Sequence, residues 1–372
     1  MPLAVTGMGM VTSLGYGRTG SCAAIRAGLT RARELPGFMV PDGDGEVAAA
    51  RGHPILGFAE GFFQTGAWVR LASGAMEDLL YEGPTEASSP EFWRRTGLIA
   101  LTPLLEPSRF MWAIDQNPEA LSEFFTRPLM ALLGVPISPE RVQALALGHS
   151  GMGEGLQRAE ALIGSRQVDR MVLVGADSYL DGLCMQWLAE HGRLKSGEAP
   201  TGLLPGQAGA CLLVEADVVA RARGASSAGQ VAGVVVKTPP PDEPLNVTRL
   251  GHLLAGAITE VLATSGAAKP FRGELVLDLN GEEWKAHVWG NAQILLAQEV
   301  DFGGSHELLP CESLGEVGAA SSVLGTALTL SGIQERETPY DAALVCAISD
   351  SGQVAAVLLR GTRTEPLAST RS

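Results

Sequence analysis

The sequence predicts an α/β protein of two tandem, similar halves, and three observations predict it. Continuous apolar runs, as in strands covered on both faces, alternate with helix-length stretches rich in small residues. The pair MVLVGADS and GACLLVEAD resembles ALVCAISD and VAAVLLRGT near the end, a weak internal repeat with a period close to half the chain. The 372 residues are 46 % apolar and 18 % charged, enough for a large core and too apolar for a disordered chain.

Taken in order, Leu3 to Val11 is an apolar run that reads as a buried strand entering the Gly-rich turn Leu14–Gly17. Residues 18–140 are punctuated by Pro36, Pro41, Pro54, Pro84, Pro90, Pro103 and Pro107, leaving room for two or three amphipathic helices in an irregular region. Most aromatics lie here, from Phe58 through Trp68, Trp93 and Trp112 to Phe125, dispersed as a core or a dimer interface disperses them. Residues 142–181 read strand, tight turn, helix from Gly151 to Gly164, short loop, and strand through Met171–Ala176. Gly206–Glu215 is a further glycine-led strand.

The second half repeats this grammar. Gln230–Lys237 and Glu274–Asn280 read as strands, Thr248–Thr264 and Trp284–Gln298 as helices. Ser313–Leu330 is a turn into a small-residue helix, and Asp341–Ile348 with Gln353–Arg360 form a strand pair around Ser349–Gly352. The division is an N-terminal half over 1–220 carrying a cap or dimer insertion at about 18–140, a C-terminal half over 221–362, and a flexible tail at 363–372.

Charge and cysteine usage narrow the function classes. With 27 Lys+Arg against 41 Asp+Glu the net charge is −14, which argues against phosphate-backbone partners. The five cysteines, Cys22, Cys184, Cys211, Cys311 and Cys346, are scattered and show no C-x-x-C spacing, so neither a disulfide framework nor a zinc site is expected. His287 and His306 have no ligand at metal spacing, and no metal or cofactor is expected. No run approaches the ~20 apolar residues of a membrane span, and MPLAVTGMGMVTSLG lacks the basic segment of a leader. The expectation is a cytoplasmic chain.

Four stretches, in order, resemble the β-ketoacyl synthases, the condensing enzymes of fatty-acid and polyketide synthesis. Val5-Thr6-Gly7-Met8-Gly9-Met10-Val11 is similar to their first strand, and Gly148 to Asp177 to their nucleophile turn, buried helix and following strand. Gly206–Glu215 resembles the next strand, with Gln207 where the family has Glu. Gly318-Ala319-Ala320-Ser321 resembles the helix start near the family's last active-site histidine. The resemblance, poor only over 18–140, implies a bacterial protein of the thiolase-like fold: five layers, two tandem pseudo-symmetric halves, commonly a homodimer.

It also implies a cysteine at a helix N-terminus that accepts the acyl group, its thiolate favoured there, and two histidines that assist decarboxylation. Aligned on the following helix and strand, the cysteine's place falls on His149, or on Ser150 with a one-residue slip. Asn280 stands at the first histidine's place; it can donate an N–H but cannot exchange a proton. The second histidine maps to Gly315 or Glu316, and a carboxylate there would repel an acyl carboxylate.

Each candidate also has an ordinary reading. Ser150 with His149 is an acyl-accepting pair if a base reaches the hydroxyl, or a small polar helix cap otherwise. Glu316 complements a helix dipole, and Glu282 with Glu283 are solvated first-turn acids. Cys311 is a small buried residue near the pocket. Asp177 and Asp278, at strand C-termini, face a ligand or bond neighbouring loop amides. The expected function is a ketosynthase-like scaffold or acyl- or partner-binding protein that has lost the condensing chemistry. A remnant pocket would lie over Ser150, Asn280 and Glu316. The alternatives are an active acyltransferase or hydrolase using Ser150, and an accessory subunit like a polyketide chain-length factor. Expected partners are a second copy, an acyl carrier protein, a ketosynthase, or an effector of a secretion system.

Overall fold

The computed structural model describes residues 1–43, 45–110, 118–241 and 244–362. Trp112 and the 363–372 tail lie outside the described residues. Twelve strands are described: β1 (Leu3–Val11), β2 (Arg33–Pro41), β3 (Val47–Gly52), β4 (Thr96–Thr102), β5 (Val142–Ala146), β6 (Arg170–Ser178), β7 (Gln207–Ala216), β8 (Gly229–Lys237), β9 (Glu274–Leu277), β10 (His306–Leu308), β11 (Ala342–Ile348) and β12 (Val354–Gly361). The longer helices are α1 (Arg18–Arg26), α2 (Thr65–Glu82), α3 (Gly151–Gly164), α4 (Gly182–Glu190), α5 (Val247–Thr264), α6 (Glu283–Leu296) and α7 (Ser321–Gln334).

Ten strands form one sheet in the order β10-β9-β11-β12-β8-β1-β7-β6-β4-β5, and β2 pairs with β3 in a separate hairpin. Read outward from the β1–β8 junction, the two directions match strand for strand. Each half has two antiparallel pairs next to the junction and two parallel pairs beyond them. This is the pseudo-twofold that the internal repeat predicts.

Helices complete five layers. Helix α2 covers β1, β7 and β6, while α5, backed by α6, covers β8, β12 and β11. Between them α3 and α7 touch strands of both halves. Residues 321–333 of α7 are buried throughout, as a central-layer helix requires; its Ser and Thr are small enough to pack there. Three apolar clusters follow this layering. One is central, around Leu156, Leu173, Val323 and Leu328; one lies under α2, around Trp68, Leu71 and Met76; one lies under α5, around Leu254, Ile258 and Val288.

The 18–140 region is more regular than its prolines suggest. Besides α1, α2 and the β2–β3 hairpin, it contributes β4, a central strand buried along its whole length between β6 and β5. Of the aromatics, Trp68, Phe92, Trp93, Phe110 and Phe125 are core, whereas Phe62, Phe63 and Phe124 are exposed. Among the described residues no helix is long and apolar enough to cross a membrane.

Two glycines let α2 lie on the sheet. A Cβ on Gly9 would stand 2.1 Å from Ala75 O, and one on Gly209 2.0 Å from Leu71 O. Both obstacles are helix backbone and cannot swing aside. Gly209→Ala is therefore expected to destabilise by about 3 kcal/mol, the upper end of ordinary overpacking. A urea midpoint lowered at constant m-value checks it.

Candidate functional site

The site is built where the N-termini of the two central helices meet. Each is preceded by a short turn, 148–150 before α3 and 318–320 before α7, and each turn begins on a left-handed glycine: Gly148 at φ +60° and Gly318 at φ +48°. Only glycine suits these positions; a Cβ on Gly318 would also fall 1.9 Å from Asp177 Oδ2. Each turn is held by the opposite half. Asp177, ending β6, accepts the Ala319 N–H at 3.1 Å, and Ser349, after β11, donates to Leu147 O at 2.8 Å.

Into this junction the fold brings three of the four predicted site residues. His149 Nε2 lies 2.9 Å from Glu316 Oε1, and the same oxygen accepts the Gly318 N–H at 2.7 Å. Asn280, just beyond β9, donates from Nδ2 to Glu316 Oε2 at 2.5 Å and to Glu282 Oε2 at 2.9 Å. His149 is 3 % exposed and Glu316 1 %. Burial opposes both charges, but each stabilises the other. The imidazole is held above its ordinary value by Glu316, and Glu316 well below the usual carboxylate range by His149, Lys285 and the Asn280 amide.

Ser150 stands apart from this group. Its hydroxyl donates to Gln353 Oε1 at 2.7 Å and to Leu147 O at 3.2 Å, and Gln353 Nε2 donates onward to Thr238 Oγ1 at 3.1 Å. It makes no helix-capping bond, so the capping reading of Ser150 is corrected. The reason is geometric: Ser150 already has helical φ and ψ, and its side chain points back across the turn. Glu316 does bond a turn amide, as its dipole reading expects.

The solvated-acid reading fails for Glu282. It is 7 % exposed, and Arg193 grips it with both Nε and Nη2 at 2.7 Å. Arg193 also donates to Asp350 at 2.9 and 3.1 Å, tying the β9–α6 loop to the β11–β12 turn. Glu283 is exposed. Asp177 bonds a turn amide, the Ala319 N–H, whereas Asp278 accepts the Ile348 N–H at 2.8 Å, at the end of strand β11. Burial pushes Asp177 up to about 6, against the pull of Arg109 at 3.0 Å.

Two clefts of about 590 and 560 Å³ open beside the junction and share Glu282 and Glu283 in their walls. The larger reaches Asn280 and Cys311; neither is lined by His149, Ser150 or Glu316. Burial raises the thiol of Cys311, as it does those of the other four cysteines. Among the described residues no group of three or more His, Cys, Asp or Glu is arranged to hold a metal ion.

No family model matches this chain, and no curated protein does. Solved structures do. A ketosynthase from module 6 of the bacillaene synthase of Bacillus subtilis 168 superposes with TM-score 0.76 at 11 % identity, over 98 % of this chain and 73 % of that one. The chain has the thiolase-like ketosynthase fold. A type II polyketide synthase acyl-carrier protein in complex with its ketosynthase, bound to the hexaketide, matches with TM-score 0.74 at 15 % identity, over 97 % of this chain and 99 % of that one. The ishigamide ketosynthase/chain length factor matches with TM-score 0.70 at 18 % identity, over 97 % and 99 %.

Within this ketosynthase fold, sequence reasoning missed Arg193, Lys285, Arg109 and Gln353. Lys285 had a signal: it falls in register with Val288, Trp289, Ala292 and Leu296 on the buried face of α6. Arg193, Arg109 and Gln353 had none, because their partners lie far away in sequence.

Proposed function

We propose that this protein is a ketosynthase-fold scaffold or partner-binding protein without condensing activity, and a pseudoenzyme in that sense. The 2.9 Å His149–Glu316 pair carries the reading. His149 and Glu316 satisfy each other and line neither cleft, and Asn280, on the wall of the larger one, donates its amide to Glu316 and Glu282. An anionic Glu316 would also repel the carboxylate that a decarboxylating enzyme must hold. The hydrolase reading needs a base on the Ser150 hydroxyl. The partners of that hydroxyl are a carbonyl and an amide oxygen, neither of which takes up a proton near neutral pH.

Incubation with acetyl- and malonyl-thioesters, followed by intact-mass analysis, tests this. No acyl adduct and no release of CO₂ are expected. A stable adduct on Ser150, or decarboxylation of the malonyl thioester, overturns the proposal.

A second reading specifies the partner. The near end-to-end match to a ketosynthase/chain length factor favours an accessory subunit, working as a heterodimer with an active ketosynthase or with an acyl carrier protein. The other settings are a homodimeric scaffold and an adaptor for a secretion effector. Co-purification from the native host separates them by which protein comes down with the chain.

A further inference from the structure

We propose a binding site for a small phosphate monoester at the end of β1, in a cleft separate from the two beside the helix junction. There the chain turns through Thr12–Gly15, and a cleft of about 110 Å³ is lined by Ser13, Tyr16, Arg31 and Arg33 among others. Four observations converge on it. First, the molecule carries a net charge of −14, yet two arginines line one small cleft, and among the described residues neither side chain makes an ion pair or hydrogen bond. Most other described arginines are spent on carboxylates or carbonyls, as Arg18, Arg26, Arg193 and Arg223 show.

Second, Ser13 lines the same cleft, is only 8 % exposed, and its hydroxyl has no hydrogen-bond partner. A buried hydroxyl without a partner costs about 1–3 kcal/mol, a cost that a bound acceptor oxygen removes. Third, the turn is rigid before anything binds. Thr12 Oγ1 accepts the Leu14 N–H at 3.1 Å and bonds Ser21 Oγ at 2.9 Å, and the Thr12 and Gly15 backbones bond each other.

Fourth, the cleft has a fixed aromatic rim. Tyr16 is 64 % exposed; one face stacks on Phe58 at 5.6 Å, and its hydroxyl donates to Leu56 O at 2.5 Å. Its other face is left to what lies outside the cleft.

Size and donor type set the ligand class. At about 110 Å³, against about 560 and 590 Å³ for the clefts beside the junction, the cleft suits a group as small as one tetrahedral oxyanion. Two guanidinium groups bring positive charge and N–H donors, which favour an anionic oxygen acceptor, and their planar forks suit phosphate. The phosphoryl group sits between Arg31, Arg33 and the Ser13 hydroxyl, and the organic part lies against Tyr16.

Isothermal titration of the full chain at fixed ionic strength, with phenyl phosphate, inorganic phosphate and benzoate, tests the assignment. Phenyl phosphate is expected to bind more tightly than inorganic phosphate, and benzoate about tenfold more weakly than phenyl phosphate. Arg31→Gln and Arg33→Gln are each expected to weaken both phosphates about tenfold, with melting temperature unchanged because both side chains are exposed and unpaired. Tyr16→Ala is expected to erase the advantage of phenyl phosphate while leaving inorganic phosphate unaffected. Absence of saturable binding, or full binding by the double arginine variant, overturns the site. A phosphoserine peptide binding more tightly than phenyl phosphate overturns the small-molecule assignment in favour of a phosphoprotein.

Discussion

Glu316→Ala is expected to lower the unfolding free energy by about 3–5 kcal/mol, the range for removing one partner of a buried ion pair. The carboxylate accepts three hydrogen bonds, from His149, Asn280 and the Gly318 N–H, and its removal leaves all three donors buried without it. Glu316→Gln keeps the shape and one acceptor oxygen and is expected to cost less. The double variant His149→Ala/Glu316→Ala is expected to lose less than the sum of the two single variants, because the pair that each single variant breaks is lost only once.

The pH dependence has a defined sign. The folded-state value of His149 lies above 6.5, so its contribution is fully present below pH 6.5 and is lost as the pH rises through that folded value. The folded-state value of Glu316 lies below 4.5, so its contribution is fully present above pH 4.5 and is lost as the pH falls through that value. The gap in urea midpoint between the natural protein and His149→Gln is therefore expected to be widest between pH 4.5 and 6.5, and to narrow toward pH 9. A gap independent of pH would mean that the imidazole carries no charge in the folded state.

How much of this was legible before the structure depends on how local the cause is. Strand β1 and helix α3 match their sequence bounds because a continuous apolar run and a Gly-Ser turn are local signals. Strand β4 was missed for the opposite reason. TGLIALT is a short, fully buried strand, and the prolines at 90, 103 and 107 make its surroundings look irregular. That His149, Asn280 and Glu316 share one neighbourhood was readable from their places in the resemblance. Their bonding to one another, and the turning of Ser150 toward Gln353, depend on contacts between the halves, 167 and 203 residues apart in sequence.

The second large effect is expected at Asp278. Lys285 is fully buried on the inner face of α6, and its ammonium donates to Asp278 Oδ2 at 2.9 Å and to Asp278 O at 3.2 Å. The same Oδ2 accepts the Ile348 N–H at 2.8 Å, so one carboxylate ties α6 to the ends of β9 and β11. Burial alone would push the lysine toward its neutral form; Asp278 and Glu316 together hold it charged instead. Asp278→Asn keeps an acceptor for Ile348 but strands the ammonium, and is expected to cost about 3–5 kcal/mol. Lys285→Met keeps most of the apolar stem and removes the charge, so it is expected to cost less than Asp278→Asn. Combining the two changes should recover part of the loss, since no charge of the pair then remains to be solvated. Urea unfolding of the four proteins, with m-values held equal, checks the ordering. If Asp278→Asn alone were silent, Lys285 would have to be neutral in the folded protein. The field that depresses Glu316 would then lose one of its sources, and the pH window set by the His149–Glu316 pair would shift with it.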